Sequence, residues 1–342
     1  MKKYLIFFIL LTAWVLQAVA QWQPDSVLGH GYRMQYIEQP ADYAGAERCT
    51  IIRKLAACHK PRAAVLYVHG YNDYFFQAEE GDRFADSCYD FYALDLRKYG
   101  RSILPGQRKF QARSLNEYFP DIDSALAVIA RDGRHHERIV LMGHSTGGLI
   151  TSYYLTMNPQ APVDALILNS PFLDWNFNGF MRKVAIPFVG FLSHIFPNMK
   201  ISQGSESLYA ESLLKKHHGE WEFDTKWKTE KPEKVEASWI KAISSAQKAL
   251  RGKHDKITIP ILLLHSDKSV YGDEWNDSFM RGDAVLNVEH ISKLGRELGT
   301  DVTEVEIPDG LHDLALSAPA VRATFYDAVF SWLDKVLPAT CR

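Results

Sequence analysis

The chain has 342 residues, of which 46% are hydrophobic and 23% charged, and its formal net charge is −2. These values are ordinary for a globular protein, and the length suits one α/β domain with an insertion as well as it suits two domains. Lysine and arginine are scattered along the chain without a basic stripe, which argues against a nucleic-acid partner. The composition gives no electrostatic hint of any other partner.

The first twenty residues have the pattern of a secretory signal peptide. Lys2 and Lys3 precede an almost wholly apolar run over 4–19, and Ala18-Val-Ala20 has the small-x-small form of a cleavage site. The run has about 16 residues, which is short of the roughly 20 that a membrane span usually needs. A membrane anchor is the alternative interpretation. We expect cleavage after Ala20 and export to a periplasm or to the extracellular medium.

Four cysteines, Cys49, Cys58, Cys88 and Cys341, follow the predicted cleavage site. An even number in an exported protein is compatible with disulfides, and three pairings are possible. The most local pair, Cys49–Cys58, is the favoured one, and four buried thiols are the alternative. No CxxC motif or histidine–cysteine cluster is present, so the sequence predicts no structural zinc site.

Short apolar runs alternate with longer helical patterns, which is typical of the α/β class with a mainly parallel sheet flanked by crossover helices. Two antiparallel leading strands are predicted at 32–38 and 49–54, and six further strands at 63–69, 89–96, 138–142, 165–169, 257–265 and 302–307. Helices are predicted at 115–131, 146–155, 285–298 and 321–336. The sequence therefore predicts an eight-stranded sheet.

Residues 174–255 interrupt this alternation after the sixth predicted strand. The stretch begins apolar and becomes charged and tryptophan-containing, with Trp221, Trp227 and Trp239. We expect a helical cap or lid inserted over the sheet. The expected organisation is a signal peptide (1–20), a first part of the core (21–173), the cap (174–255) and a second part of the core (256–342). The apolar half of the cap either lines an acyl pocket, rests on a lipid surface, or simply packs on the main domain.

The hexapeptide Gly143-His-Ser-Thr-Gly-Gly148 directly follows one predicted strand and directly precedes a predicted helix. A G-x-S-x-G string is weak evidence alone, but in this context it describes a nucleophile elbow, in which Ser145 adopts a strained backbone conformation. Gly143 and Gly147 avoid collisions with the neighbouring strand and helix, and the helix N-terminus favours a developing anion. The pattern predicts Ser145 as the nucleophile; an inert serine in a glycine-rich turn is the alternative.

The strand at 63–69 runs into Gly70 and Tyr71. In an elbow fold, the loop after this strand supplies one backbone N–H of the oxyanion hole, and the residue after the nucleophile supplies the other. The predicted donors are therefore Tyr71 and Thr146, and Gly70 allows the backbone to approach the reacting carbonyl. His69 is predicted to be structural.

A serine hydroxyl needs a base, and the chain order in this fold is serine, acid, histidine. Three histidines follow the predicted cap. His312 lies in a loop just beyond the last predicted strand, whereas His265 ends a strand and His290 lies in a predicted helix. His312 is therefore the predicted base.

The acid has two candidates. Asp267 lies just past the strand end at His265, and Asp283 immediately precedes a predicted helix. A helix and a strand together take up about thirty residues. This spacing favours Asp283, which lies 29 residues before His312, over Asp267, which lies 45 before it. Asp283 is the predicted acid and Asp267 the alternative, with 268–282 as an inserted loop.

Four segments together resemble the monoglyceride lipase and lysophospholipase branch of the α/β hydrolases, which has a serine aminopeptidase (S33-type) domain. They are HGYND at 69–73, DLRKYGRS at 95–102, GHSTGG at 143–148, and Asp283-Ala-Val-Leu followed by Gly310-Leu-His312. The resemblance covers roughly 63–337. It implies a catalytic triad of Ser145, Asp283 and His312, an oxyanion hole at Tyr71 and Thr146, and no cofactor. In the second segment, Asp95 and Arg101 are interpreted as a structural ion pair.

Three functions fit these residues. The first is a serine hydrolase that cleaves carboxylic esters, such as an acylglycerol or lysophospholipid, through an acyl-enzyme. The second is a serine aminopeptidase or amidase, which would need an acidic group to hold a substrate amine; Glu220, Glu222 and Asp224 of the cap are candidates. The third is a non-catalytic binding protein on the same scaffold. Such a protein generally loses a triad member, and none is missing here.

Overall fold

The computed structural model describes residues 21–29, 31–202, 207–231, 233–252 and 257–338. The predicted signal peptide and Cys341 lie outside these ranges. Within them, no helix combines the length and the apolar character that crossing a membrane requires.

Eleven strands are described, and nine of them form the central sheet. The strands are β1 Gln23–Pro24, β2 Tyr32–Asp42, β3 Gly45–Lys54, β4 Ala64–Val68, β5 Asp90–Asp95, β6 Ile139–His144, β7 Ala165–Asn169, β8 Lys200–Ile201, β9 Val235–Glu236, β10 Ile261–Ser266 and β11 Val302–Ile307. The order in the sheet is β1-β2-β3-β5-β4-β6-β7-β10-β11, whereas β8 and β9 pair separately. The first three strands are antiparallel and the others parallel. The prediction of eight strands was one short, because the two residues of β1 are too few to form a pattern.

Apolar side chains are buried on both faces of the sheet, as is usual for parallel sheets covered by helices. Along β4, Leu66 and Val68 belong to one apolar cluster, whereas Val65 and Tyr67 belong to the other. This alternation is the two-residue period of a strand. The first cluster includes residues of α2 (Phe119–Arg131) and α3 (Thr146–Met157), and the second includes residues of α1 (Ala78–Asp86) and α8 (Pro319–Val336).

The predicted helices are present with shifted ends. The pattern at 115–131 is a 3₁₀ turn, Leu115–Tyr118, continued by α2. The helix predicted at 285–298 is the shorter α7, Val288–Gly295. It begins late because the Asn287 side chain accepts a hydrogen bond from the His290 backbone N–H and caps the helix.

Residues 170–260, between β7 and β10, are called the inserted segment below. It contains α4 (Ile186–Leu192), α5 (Leu208–Leu213) and α6 (Ala237–Gly252), and α4 packs on α6. The segment contacts the loop that follows β4: Asn72 Nδ2 donates to the Thr229 carbonyl oxygen at 2.8 Å, and Trp227 packs edge-on against Tyr74. It therefore lies over the carboxyl end of β4.

The predicted pair Cys49–Cys58 is wrong, because Cys58 is joined to Cys88 with a Cα–Cα distance of 5.8 Å. Cys58 precedes β4, and Cys88 precedes β5, so the neighbouring parallel strands bring the two residues together. Cys49 is a buried free thiol inside β3, and burial raises its pKa. The most local pairing fails because the strand directs the Cys49 side chain into the core.

Arg101 forms the predicted ion pair with Asp95 and a second one with Asp25. Its Nη1 lies 2.9 Å from Asp95 Oδ2, and its Nε lies 2.7 Å from Asp25 Oδ2. All three residues are buried. Although burial opposes the charged form, Asp95 and Asp25 raise the pKa of the Arg101 guanidinium above its usual range. The interpretation of Asp95 and Arg101 as structural is confirmed.

We predict that Arg101→Met lowers the free energy of unfolding by about 3–5 kcal/mol, because it leaves two buried carboxylates without their cation. Lys60→Met is the control, since the Lys60–Glu137 pair is exposed and is expected to contribute at most about 1 kcal/mol. Urea unfolding monitored by tryptophan fluorescence measures both. A loss for Arg101→Met no larger than that of the control would contradict the structural role of this buried cluster.

Candidate active site

Ser145 lies in the tight turn between β6 and α3, with φ 52° and ψ −116°. This left-handed conformation is unfavourable for a residue with a side chain, and it is the strain expected of a nucleophile elbow. A Cβ on Gly143 would lie 2.6 Å from the Gly147 carbonyl oxygen. A Cβ on Gly147 would lie 2.5 Å from the His69 carbonyl oxygen, at the end of β4. Both glycines are thus required by the close packing that the sequence predicted.

The end of β4 passes directly against the elbow. A Cβ on Gly70 would lie 3.1 Å from the Ser145 Cβ, so only glycine fits there without displacing the elbow. The ring of the preceding His69 accepts a hydrogen bond at Nε2 from the Leu96 backbone N–H at 3.1 Å. Its Nδ1 therefore carries the proton and donates to the Gly70 carbonyl oxygen at 2.8 Å. His69 holds two loops together, which confirms its predicted structural role.

Ser145, His312 and Asp283 form one continuous hydrogen-bonded chain. Ser145 Oγ lies 2.9 Å from His312 Nε2, and His312 Nδ1 lies 2.9 Å from Asp283 Oδ2. All three residues are buried. A carboxylate oxygen accepts hydrogen bonds, so Nδ1 donates to Asp283 Oδ2 and Nε2 is free to accept the serine proton. This is the arrangement in which a serine hydroxyl can be activated by a general base.

The backbone around Asp283 fixes the direction of its carboxylate. Its Oδ1 accepts hydrogen bonds from the backbone N–H groups of Val285 at 2.8 Å and Leu286 at 2.7 Å, which leaves Oδ2 for the histidine. The Asp283 N–H donates to the Lys268 carbonyl oxygen, and the Val270 N–H donates to the Asp283 carbonyl oxygen. The predicted loop at 268–282 therefore begins at the end of β10 and returns to it, so that Asp283 lies beside this strand end.

Asp267, the alternative acid, does not reach His312. It is partly exposed, and its Oδ1 accepts a hydrogen bond from the Asp309 backbone N–H at 2.9 Å. Its Oδ2 lies 3.3 Å from Lys268 Nζ. Asp267 thus stabilises the turn after β11, whereas Asp283 contacts the histidine.

Ser145 and His312 open into a cavity of about 300 Å³. The residues predicted to form the oxyanion hole, Tyr71 and Thr146, both line it. Thr146 is the first residue of α3, so its backbone N–H has no acceptor within the helix. Most of the remaining wall is apolar and aromatic, and it includes Phe172, Trp175, Phe177, Tyr209, Leu213, Phe223, Trp239, Val285 and Leu286.

Of Trp221, Trp227 and Trp239, the three tryptophans noted in the charged half of the cap, only Trp239 lines this cavity, and its ring centroid lies 4.5 Å from that of Tyr71. Trp221 donates from Nε1 to the Leu316 carbonyl oxygen, and Trp227 packs on Tyr74. These two therefore attach the inserted segment to the core.

Asn169, at the end of β7, is a site residue that the sequence reasoning missed. Its carbonyl oxygen accepts from the Ser145 N–H at 3.0 Å, and its Nδ2 donates to Asp313 Oδ1 at 2.8 Å. It therefore connects the elbow with the histidine loop. A polar residue ending an otherwise apolar strand was the available signal.

Asp73, His144 and Asp313 are buried and bring ligand-type atoms within 4.8 Å of one another. Lys228 Nζ lies 2.7 Å from Asp73 Oδ1 and supplies a positive charge there. Burial lowers the pKa of His144, so its ring is neutral at pH 7, and its Nδ1 donates to the Asn169 carbonyl oxygen at 3.2 Å. Because Lys228 already provides the cation, we assign no metal to this group.

Fold and site together define an α/β hydrolase. A family model described as serine aminopeptidase, S33, matches residues 59–315, and the chain belongs to this family. A monoacylglycerol lipase of Mycolicibacterium smegmatis is 24% identical over 287 residues, which cover 80% of this chain and 88% of that protein.

Solved structures agree on the fold. A soluble variant of the monoglyceride lipase of Saccharomyces cerevisiae superposes with a TM-score of 0.63 at 16% identity, covering 95% of this chain and 98% of that one. A monoacylglycerol lipase of Paleococcus ferrophilus gives 0.60 at 20% identity, covering 85% and 99%. The predicted fold class and the predicted resemblance are confirmed, and the chain is a hydrolase.

We predict that Asp283→Asn lowers kcat/KM by about 10⁴-fold, because it removes the carboxylate that orients His312 and stabilises the imidazolium. Asp267→Asn is the matched control and is expected to change kcat/KM less than threefold, roughly the effect of a surface substitution. Steady-state kinetics on a p-nitrophenyl ester compares the two variants. The opposite order would move the acid to Asp267.

Proposed function

We propose that the protein hydrolyses carboxylic esters. Ser145 is the nucleophile, His312 is the general base and then the general acid, and the Asp283 carboxylate orients His312. The observation that carries this proposal is the hydrogen-bonded chain from Ser145 Oγ through His312 to Asp283 Oδ2, with both distances 2.9 Å. The candidate oxyanion residues Tyr71 and Thr146 beside Ser145 support it.

In the first half of the proposed reaction, Ser145 Oγ attacks the ester carbonyl carbon while its proton passes to His312 Nε2. The carbonyl oxygen becomes an oxyanion, which the backbone N–H groups of Tyr71 and Thr146 stabilise; each such donor contributes about 3 kcal/mol in comparable sites. The intermediate collapses, the bond to the alcohol oxygen breaks, and His312 returns the proton to the leaving alcohol.

In the second half, His312 removes a proton from water, and the resulting hydroxide attacks the acyl carbon bound to Ser145. The acyl–oxygen bond to the serine breaks, and His312 returns the proton to Ser145 Oγ. The carboxylic acid leaves. Asp283 keeps the protonated imidazole in place during both halves.

The acidic side chains that line the cavity are already paired with lysines, which favours an ester substrate over a peptide with a free amino group. Asp73 and Glu230 line the cavity, but Asp73 pairs with Lys228 at 2.7 Å and Glu230 with Lys216 at 2.6 Å. The acids proposed from the sequence to hold an amine, Glu220, Glu222 and Asp224, do not line it. Each carboxylate in the described lining already has its cation, so none of these is left for a substrate ammonium group.

The size of the cavity favours an ester with a single acyl chain. Its volume of about 300 Å³ lies at the lower end of the range for ligand pockets. An apolar wall with the catalytic serine beside it suits one acyl chain. We therefore propose a monoacyl ester, such as a monoacylglycerol or lysophospholipid, as the substrate class, with the inserted segment acting as the cap that encloses it.

The outer side of the inserted segment exposes large apolar side chains, which supports a transient contact with a lipid surface. Phe188, Phe191 and Ile195 are 59%, 64% and 65% exposed, and Val184 is exposed on the preceding turn. Val184 lies in the π-helical turn before α4, Phe188 and Phe191 lie on α4 itself, and Ile195 lies in the turn that follows it, so the exposed side chains succeed one another closely along this segment. A contiguous exposed apolar patch of this kind marks an interaction site.

We also propose that the protein is exported and that its mature chain begins at Gln21. The N-terminal sequence pattern supports export. The disulfide Cys58–Cys88 is consistent with an oxidising compartment. N-terminal sequencing of the exported protein tests the cleavage site.

The central test is hydrolysis of p-nitrophenyl esters from acetate to palmitate beside a panel of aminoacyl-p-nitroanilides. We expect ester turnover only, and a loss of at least about 10³-fold in Ser145→Ala and His312→Ala. Ser278→Ala, an exposed serine outside the cavity, is the control. Anilide turnover alone would reassign the protein as an aminopeptidase, and undiminished turnover in Ser145→Ala would exclude the proposed nucleophile.

The lipid contact predicts a second, separate effect. In the double variant Phe188→Ser, Ile195→Ser, we expect the ratio of activity on emulsified monoacylglycerol to activity on a soluble short-chain ester to fall about tenfold, because the apolar area that enters the lipid is lost. Val27→Ser, Met157→Ser is the control, since both residues are exposed but lie outside the inserted segment. An unchanged ratio in the first variant would refute the proposed contact.

A further inference from the structure

A second concave surface lies on the outer side of the inserted segment, away from Ser145. It is a groove of about 640 Å³ between the start of α4 and α6. Its apolar lining includes Trp175, Ile186, Pro187 and Phe191. No residue of the Ser145–His312–Asp283 chain lines it. The proposed reaction therefore leaves this groove unexplained.

The rim of the groove is strongly cationic. Five basic residues line it, namely Arg182, Lys183, Lys241, Lys248 and Arg251, against one carboxylate, Asp174. The formal charge of the whole chain is only −2, with 39 basic and 41 acidic residues. Because the basic residues are scattered along the sequence, it is the fold that concentrates positive charge at this groove.

Asp174 offsets only one of the five positive charges of this rim, and both of its oxygens contact arginines and not lysines. Its Oδ2 lies 2.6 Å from Arg182 Nη1, and its Oδ1 lies 2.6 Å from Arg251 Nη2. Among the described residues, no carboxylate forms an ion pair with Lys183, Lys241 or Lys248, and Lys241 Nζ lies 3.0 Å from His194 Nε2. Three ammonium groups thus surround an apolar floor.

Charge and shape together identify the class of ligand. Lys241 and Lys248 are separated by two turns of α6 and so share one face of that helix. Phe191 belongs both to the groove and to the exposed apolar patch, so the two surfaces are continuous. An apolar patch that would enter a bilayer, next to ammonium groups at its edge, matches a surface in which anionic headgroups lie above acyl chains.

We propose that this groove binds the phosphate of an anionic phospholipid headgroup, so that the protein docks preferentially on negatively charged lipid surfaces. The inference builds on the proposed lipid contact of the inserted segment and adds selectivity for charge. Lys183 and Lys248, which pair with no carboxylate in the part of the chain that the structure describes, provide the positive charges, and Phe191 connects the headgroup site to the apolar patch.

The test is co-sedimentation of the full-length mature protein with vesicles of phosphatidylcholine alone and with vesicles containing phosphatidylglycerol, at low salt. We expect the wild type to bind the anionic vesicles at least about tenfold more tightly. Lys183→Gln, Lys248→Gln is expected to lose most of this preference. Lys293→Gln, Lys335→Gln removes the same charge from exposed positions outside the inserted segment and is expected to retain it. Thermal unfolding checks that each variant is folded.

The other outcomes separate the two proposals. Binding to neither kind of vesicle would refute the lipid contact itself and this inference with it. Equal binding to both kinds would refute only the headgroup site. An equal loss in the two double variants would show that net charge, and not the groove, sets the preference. Sodium phosphate that releases the protein no more effectively than sodium chloride at equal ionic strength would show that general electrostatic attraction, and not a phosphate site, sets the preference.

Discussion

The close approach of the first turn of α3 to the end of β4 is the constraint on which the active site depends. At Gly147 the helix backbone lies so near the His69 carbonyl oxygen that a Cβ would approach it to 2.5 Å, and a Cβ at Gly70 would lie 3.1 Å from the Ser145 Cβ. This packing forces the chain to turn sharply between β6 and α3, and Ser145 takes the positive φ that such a turn requires. The same approach brings Tyr71, which follows Gly70, and Thr146, which follows Ser145, into the lining of one cavity. The proposed nucleophile and the candidate oxyanion donors are thus fixed by a single contact between backbones.

The positions of His312 and Asp283 depend on the ends of β7 and β10, which lie on the opposite side of β6 from β4. Asn169 at the end of β7 holds the Ser145 N–H with its carbonyl oxygen and Asp313 with its side chain, so the loop carrying His312 is tied to the elbow itself. Asp283 lies beyond a long loop, yet its backbone pairs with residues 268 and 270 immediately after β10. The loop therefore adds length without moving the carboxylate away from the sheet edge. Insertions of this kind are tolerated because loop closure becomes more costly only slowly with loop length.

The features of the site that depend on local pattern or on chain order could be predicted from the sequence. Ser145 was identifiable from its glycines and its place between a strand and a helix, and His312 from its position after the last strand. Asp283 could be separated from Asp267 only by spacing, because the pairing of residue 283 with the end of β10 is a tertiary contact with no local signature. The disulfide was mispredicted for the same reason: Cys58 and Cys88 are 30 residues apart and meet only because β4 and β5 are neighbours. The cationic groove could not be predicted from the sequence either, since its basic residues come from both ends of the inserted segment.

The inserted segment has two differently built sides, and α6 contributes to both. Trp239 on this helix packs on Tyr71 and lines the cavity that contains Ser145, whereas Lys241 and Lys248 line the outer groove. A helix of 3.6 residues per turn presents residues two apart on different faces, so one helix can serve a substrate cavity and an outer surface at once. Trp175 lines both the cavity and the groove, and its Nε1 donates to Ser244 Oγ on α6 at 3.0 Å. The wall between the two concave surfaces is therefore only about one side chain thick. If an anionic lipid surface occupies the groove, it lies against the same tryptophan that an acyl chain in the cavity would contact, which gives docking a direct physical route to the substrate site.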